Sequence, residues 1–198
     1  MDALTWWVAV IAALMAAAWY LSYNAARLDR LHARVEGSLS ALDAQLVRRA
    51  EATLELANSG SLDPASALIL AGAASESLEA HDERAGYQRP GDDLLEGQLF
   101  SGREVAESDL TQALQIALTA PVVEQLHDDP GLAGGPALAR VRAAALRVQL
   151  ARRFHNDAVK DVQRVRRKAV VRWFRLAGHA EMPQTIEFDD ELPAAVRD

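Results

Sequence analysis

The stretch ALTWWVAVIAALMAAAWYLSYNAA, residues 3–26, contains no charged side chain. At a rise of about 1.5 Å per residue it reaches roughly 36 Å as a helix, which exceeds a bilayer hydrocarbon core of about 30 Å. Trp6 and Trp7 lie near one end, and Trp19 and Tyr23 lie near the other, where interfacial aromatic side chains are enriched. The stretch therefore predicts a single membrane-spanning helix.

Two other interpretations of this stretch are a buried core helix and a cleaved signal peptide. A signal peptide has a basic region ahead of a shorter apolar segment, whereas only Met1 and Asp2 precede the stretch here. We therefore expect a retained anchor in the cell membrane. Arg27, Arg30 and Arg34 follow the stretch, so the positive-inside rule predicts an external N-terminus and a cytoplasmic helical domain.

The rest of the 198-residue chain has the length of one ordinary domain. We assign residues 1–26 to the anchor, residues 27–177 to a helical domain, and residues 178–198 to a polar, acidic tail that we expect to be loosely ordered. The absence of cysteine excludes disulfides and thiolate-ligated metal sites.

Apolar residues after the anchor recur in steps of three and four, the spacing of a helix with one buried face. They are Leu28, Leu31, Val35, Leu39, Leu42, Leu46, Ala50 and Leu54. Residues 27–54 contain no proline, and their only glycine is Gly37, which lies within the pattern. We therefore predict one continuous helix over residues 4–58, which stops at the turn Asn58-Ser59-Gly60.

Similar patterns predict three further helices. Asp63-Pro64 has the sequence of an N-cap followed by proline at the first helical position. The predicted segments are a helix at 65–83, a loop at 84–102 with a short helical turn within 92–100, a helix at 103–126 that Pro121 kinks or divides, and a helix from 136 to about 175. The expected fold class is all-α, an N-terminal transmembrane helix continuing into an antiparallel bundle of three or four long helices.

Two blocks of sequence resemble the LemA family. The first begins with Tyr23-Asn24 at the predicted membrane exit, and the second is ARRFHNDAV at residues 151–159, where His155 replaces the family's usual tyrosine. The resemblance implies a membrane-anchored bundle of long antiparallel helices with no established enzymatic activity. The motif positions that it singles out are Tyr23, Asn24, Arg34, Asp43, Arg48, Arg49, Arg152, Phe154, Asn156 and Asp157.

Residues suited to catalysis or metal binding form no convincing constellation. Glu124 and His127 have a spacing found in di-iron bundles, but no second copy occurs, so a solvated helix end is the simpler interpretation. His81 precedes Asp82 and Glu83 and is interpreted in the same way. His155 lies on the apolar stripe of the last helix, where we expect a buried, hydrogen-bonded histidine and not a pH switch. We expect no catalytic activity, no cofactor and no metal.

Charge is unevenly distributed along the chain, whose net charge is −7. Residues 138–175 contain twelve Lys or Arg and two acids, whereas residues 76–109 contain ten acids. One interpretation is intramolecular, with the basic helix against the acidic segments and surface pairs of about 0–1 kcal/mol each. Independently of this charge pattern, we expect Asn156 and Asp157 to bond to Arg34 or Arg48 of the first helix and to fix the register of the helices.

The other interpretation is a binding surface at the end of the last helix, where basic and aromatic side chains alternate. This candidate lipid or partner surface consists of Arg164, Arg166, Arg167, Lys168, Arg172, Trp173, Phe174 and Arg175. Near anionic headgroups, each basic side chain contributes about 1 kcal/mol of attraction. The composition of the surface is thus compatible with a peripheral contact to anionic lipid.

The function expected first is a membrane-anchored helical scaffold or adaptor that binds a protein partner of unknown identity. The alternative is sensing or remodelling of anionic lipid through the basic and aromatic end of the last helix. A homo-oligomer is compatible with both. The acidic overall charge and the lack of a nucleic-acid-binding motif argue against nucleic acid as a partner.

Overall fold

A computed structural model describes residues 3–87, 96–128, 133–174 and 182–197. These residues form helices and no β-strand, which confirms the all-α fold class. The helices are α1 (Ala3–Ala57), α2 (Pro64–Tyr87), α3 (Glu96–Ala117), α4 (Ala120–Asp128), α5 (Gly134–Arg166), α6 (Ala169–Trp173) and α7 (Ala194–Arg197). The long first helix, with later helices packed against it, is as predicted.

α1 is continuous from its apolar first half into its packed second half. The predicted stripe is confirmed, since Leu28, Val35, Leu42 and Leu46 are buried. The turn after α1 also matches the prediction, because Gly60 adopts a φ of +73°, which other residues rarely tolerate. α1 is long and apolar enough to cross a membrane, and none of its most apolar window is buried within the chain. The stretch is therefore not part of this chain's own core.

The bundle is built around the second half of α1. α2 and α5 each pack along α1, and α3 packs on α2. Residues 182–197, which we call the strap, run between α3 and α5 as an extended segment that ends in α7. The strap contributes Ile186, Phe188, Leu192 and Val196 to the apolar core. The prediction of a loosely ordered tail is wrong for these residues, because their apolar side chains fill the space between the helices.

Several predicted boundaries differ from the observed ones. α3 begins at Glu96, seven positions before the predicted start, because Phe100 is buried against Leu42 and Leu46 of α1. The division of the third predicted helix falls at residues 118–119, just ahead of Pro121, because proline lacks the backbone N–H that would bond to the Ala117 carbonyl in a continuous helix. Residues 88–95, from the predicted loop, lie outside the described residues.

The last long helix also ends earlier than predicted. α5 stops at Arg166, and Lys168 is extended with φ −64° and ψ 135° before α6 begins. Because the helix breaks here, the Val171 side chain packs in a cluster with Leu28 and Val165. A straight continuation of α5 would leave Val171 outside that cluster. Burial of an apolar side chain thus explains a helix end that no glycine or proline marks.

The N-cap at Asp63 predicts a measurable pH dependence of stability. Its Oδ1 accepts hydrogen bonds from the backbone of Ala65 at 3.0 Å and Ser66 at 3.1 Å. The hydrogen bond with the Ser66 side chain is the main cause that lowers the pKa of the Asp63 carboxyl, and the bond from the Ser66 backbone lowers it further. The ionised carboxyl therefore stabilises the fold at pH values above its unfolded pKa of about 3.9. This stabilisation is lost as the pH falls through the lower pKa of the folded state.

We therefore expect the variant Asp63→Asn to retain a cap but to lose this dependence. Its melting temperature, measured in detergent micelles, should lie below that of the wild type at pH 7, and the difference should shrink as the pH falls below about 4. An equal difference at pH 7 and pH 3 would contradict the assignment.

Candidate functional site

The described part of the predicted lipid or partner surface lies at the α5–α6 junction. We call Arg164, Arg166, Arg167, Lys168, Arg172, Trp173 and Phe174 the basic–aromatic surface. Trp173 is 86% exposed, and its ring centroid lies 6.1 Å from that of Phe174. Arg166 is partly buried and Arg164 forms an ion pair with Asp161 at 3.4 Å. Arg175 lies outside the described residues.

This surface is fixed close to the point where α1 leaves its apolar half. Val171 of α6 and Val165 of α5 pack with Leu28 of α1. Leu28 follows Tyr23, the last residue of the aromatic group in the predicted anchor, by only about 8 Å along the helix axis. The basic–aromatic surface and the end of the apolar half of α1 therefore lie at similar heights along the molecule.

A second exposed feature is an apolar stripe on α5, formed by Leu146, Leu150 and Phe154. These side chains are 49%, 52% and 56% exposed and recur every four residues, so they lie on one helix face. The stripe borders a shallow groove of about 230 Å³ between α5 and α1, which Gln45 also lines. Gln45 Oε1 is buried there without a hydrogen-bond partner.

A buried ion network joins α1, α2 and α3. Glu107 of α3, which is 0% exposed, lies at its centre. Its Oε2 accepts a hydrogen bond from Arg49 Nη2 at 2.7 Å, and its Oε1 accepts from Ser77 Oγ at 2.8 Å and from Arg103 Nε at 3.2 Å. Arg49 also donates to Thr111 Oγ1 at 3.0 Å. One carboxylate thus bridges two buried guanidinium groups.

The network continues toward solvent through Arg103. Arg103 Nη1 donates to Asp43 Oδ1 and lies 3.1 Å from His81 Nδ1, which in turn lies 3.3 Å from Asp43 Oδ2. Arg49 and Arg103 carry two positive charges, and Glu107 and Asp43 carry two negative ones, so the network is neutral when His81 is neutral. The network connects α1, α2 and α3, although two of its buried nitrogens, Arg49 Nε and Arg103 Nη2, have no hydrogen-bond partner among the described residues.

Sequence reasoning missed most of this network. It named Asp43 and Arg49 as motif positions but dismissed His81 and did not single out Glu107. One feature of the sequence does indicate the network. Arg103, Glu107 and Thr111 recur every four residues, on the face of α3 that also carries the buried Leu110 and Leu114. Val105, two positions from Arg103, lies off that face and is exposed.

The second block of motif residues holds the strap. Asn156 Nδ2 donates to the Ile186 carbonyl at 3.0 Å, and Asn156 Oδ1 accepts from the Ile186 amide at 2.9 Å. Arg152 donates from Nε and Nη2 to the two carboxylate oxygens of Asp190 at 2.8 and 2.9 Å, and from Nη1 to Glu187 at 3.1 Å. The hydrogen bond to Asp190 is the main cause that raises the pKa of the Arg152 guanidinium.

The expected pairing of Asn156 and Asp157 with Arg34 or Arg48 is wrong. Asn156 bonds to the strap, whereas Asp157 and Arg48 are exposed. Arg34 instead lies 3.9 Å from Asp161. The strap lies beside α5, and its backbone supplies the partners of Asn156.

The remaining motif residues lie on α1 and α5. Tyr23 is exposed, and Asn24 is buried and donates to the Tyr20 carbonyl at 2.7 Å. His155 is buried, with Nδ1 3.1 Å from Ser38 Oγ, as predicted. The described residues contain no group of three or more His, Asp or Glu side chains arranged to hold a metal ion.

The intramolecular interpretation of the charge pattern needs correction. Its premise was that the basic last helix lies against the acidic segment at 76–109, but among the described residues α5 packs mainly on α1. Acids of α1, α5 and the strap pair with the α5 arginines, including Glu55 with Arg140 at 2.6 Å. Glu107, from the acidic segment, is paired within the ion network instead.

The comparisons with known proteins add no relative to this picture. The resemblance to the LemA family consequently stays a prediction from the residues quoted above. No family model, curated protein or solved structure matches the chain.

Proposed function

We propose that this chain is a single-pass, membrane-anchored helical adaptor without catalytic activity, which binds a protein partner beside the membrane surface. In this proposal the N-terminus lies outside and the bundle lies in the cytoplasm, as the arginines after the anchor favour. The two LemA-like blocks support the same assignment, because that family combines an anchor with a long helical bundle.

The anchor part of the proposal is supported by the exposure of the first half of α1. Its most apolar window has no protein covering it, although Trp7, Leu14 and Trp19 are large apolar side chains. An exposed apolar surface of that length is unfavourable in water, whereas a bilayer would cover it. Carbonate extraction of membranes from expressing cells should leave the chain in the pellet. Release into the supernatant would contradict an integral anchor.

The adaptor part rests on one observation, the exposed apolar stripe of Leu146, Leu150 and Phe154. Apolar side chains at every fourth position form a surface to which a partner helix can bind, with Leu150 and Phe154 bordering the groove. The ion network, by contrast, is buried, with Arg49, Arg103 and Glu107 each no more than 2% exposed.

Crosslinking from the stripe tests this surface in intact membranes. Because the chain contains no cysteine, a photoreactive group can be attached at Leu150→Cys alone, with Gln112→Cys on the exposed face of α3 as the control site. We expect a discrete adduct from position 150 that disappears in a chain also carrying Leu146→Glu and Phe154→Glu. The same adducts from both positions, or none from position 150, would count against an adaptor surface.

The basic–aromatic surface supports a second candidate function, contact with anionic lipid. Trp173 has the largest exposed fraction among the large apolar side chains described, and α6 is fixed near the exit of the anchor. Basic side chains at that height would lie within reach of headgroups and contribute about 1 kcal/mol each. The aromatic pair would add apolar contact at the interface.

Hydrogen exchange in nanodiscs tests whether the basic–aromatic surface contacts lipid or binds only protein. We expect amides of residues 167–174 in the full chain to exchange more slowly in anionic than in zwitterionic nanodiscs, and this protection to vanish in Arg167→Glu/Lys168→Glu. Reversal of the exposed Arg48 and Arg153, which lie farther from the anchor, should preserve the protection. Equal exchange in both lipids would exclude the lipid contact.

A further inference from the structure

Side chains of α3 and α5 bind the backbone of the strap along most of its extended part. Besides the two bonds between Asn156 and Ile186, the Asp189 carbonyl accepts from Thr111 Oγ1 at 2.7 Å, and the Asp190 carbonyl accepts from Gln149 Nε2 at 2.6 Å. The Glu191 carbonyl accepts from Gln115 at 3.1 Å, the Pro183 carbonyl accepts from Gln163 at 2.9 Å, and the Asp189 amide donates to Ser108 Oγ at 3.2 Å. Contacts of this kind bind an extended backbone whatever its side chains are.

The strap side chains alternate as they would in a peptide ligand. Ile186, Phe188 and Leu192 are buried, whereas Glu187, Asp189 and Glu191 are exposed. Between the buried apolar positions, Asp190 binds Arg152 through both carboxylate oxygens. Every second residue from 186 to 192 therefore faces the groove, the period of an extended chain.

The groove also has a site matched to an aromatic side chain. The Phe188 ring centroid lies 5.4 Å from the Arg152 guanidinium carbon and 6.0 Å from that of Arg49. Both distances are in the range of cation–π contact. Leu42 and Leu46 of α1 form the apolar floor beneath it. Shape, charge and backbone contacts thus specify one class of occupant.

We propose that this groove between α3 and α5 is a binding site for an extended peptide with an apolar residue, an aromatic residue two positions later and an acidic residue two positions after that. The strap is its tethered occupant, and such a segment of a partner protein displaces it. The proposal rests on the adaptor function above and names the class of partner that the adaptor binds. A tethered occupant competes at a high effective concentration, so weakening it exposes the site to free peptide.

A peptide with the sequence of residues 182–198 is the probe. It is labelled with a fluorophore and titrated against the full chain in detergent micelles, with a peptide of scrambled order as control. We expect Ile186→Ala/Phe188→Ala to bind the native-order peptide about tenfold more tightly than the wild type does, since the tethered competitor is weakened. Adding Asn156→Ala to that variant should reverse the gain, whereas adding Asp157→Ala, at the exposed neighbouring position, should preserve it.

A second measurement covers the case in which the strap variant does not fold. The wild-type chain is irradiated with the peptide carrying benzoylphenylalanine in place of Phe188, and we expect adducts on α3 or α5 that excess unlabelled peptide suppresses. Absence of such adducts, or a folded strap variant without saturable binding, would overturn the proposal. If the chain formed dimers by exchanging straps and bound no peptide, the proposal would also be overturned, because the occupant of the groove would then be a second copy of the chain. The crosslinking from position 150 is independent, so the adaptor surface and the peptide groove can fail separately.

Discussion

Replacing Glu107 with alanine should lower the free energy of unfolding by about 3–5 kcal/mol, the usual cost of breaking a buried ion pair by removing one partner. The carboxylate binds the guanidinium groups of Arg49 and Arg103, and both arginines are buried. Without Glu107 both positive charges stay in the interior with only Asp43 to balance them. The desolvated charges, and not the lost attraction alone, cause the large effect.

Denaturant unfolding followed by circular dichroism in detergent micelles measures this change. The matched control is Asp109→Ala, two positions along α3, where the side chain is exposed. The control should alter stability by no more than about 0.5 kcal/mol. If both variants unfolded at the same denaturant concentration, the network would not be the stabilising connection between α1 and α3.

Replacing Phe188 with alanine should cost about 3–5 kcal/mol as well, the range for removal of a buried phenylalanine. The ring packs with Leu46 and Phe100, and its centroid lies 6.0 Å from the guanidinium carbon of Arg49 and 5.4 Å from that of Arg152. Its loss leaves a cavity between α3 and α5 and weakens the hold on the whole strap. The effect would be unexpected for a loosely ordered tail.

The same unfolding measurement tests the role of Phe188, with Met182→Ala as the control. Met182 lies in the strap but is exposed, so its replacement should change stability little. Unchanged stability of Phe188→Ala would mean that the strap does not belong to the folded core in solution, and it would remove the basis for the groove proposal.

The sequence predicts the helical framework well because its signals are local. The stripe from Leu28 to Ala50 recurs at helical spacing over several turns, and Asp63-Pro64 is a cap that needs only its immediate neighbours. Both features depend on residues close together in the chain. For that reason α1, the start of α2 and the all-α class follow from the sequence alone.

The strap was missed because its pattern is short and appears polar in composition. Ile186, Phe188 and Leu192 alternate with acids, which is the period of an extended chain. Acidic residues and two prolines in the same segment are also typical of loose tails. Only the neighbouring α3 and α5 supply the partners that order it, and sequence periodicity does not show which helices lie side by side.

The ion network was missed for a related reason. Its central contact joins Arg49 to Glu107, which belong to different helices, so no short motif connects them. Arg103 and Glu107 at i and i+4 have the spacing of an ordinary exposed pair. Their position among buried leucines, rather than their spacing, distinguishes them. The helix end at Arg166 was hidden too, since burial of Val171 causes it and no breaker residue marks it.

The central claim is that α1 passes from the membrane into the bundle as one rigid helix, which holds the basic–aromatic surface and the apolar stripe at fixed heights. Spin labels at Ser22→Cys and Arg48→Cys, both exposed positions in a chain without native cysteine, measure this in nanodiscs. An unbroken helix predicts a narrow distance distribution centred at about 39 Å. A broad distribution, or a clearly shorter mean distance, would reveal a hinge between the two halves and contradict the claim.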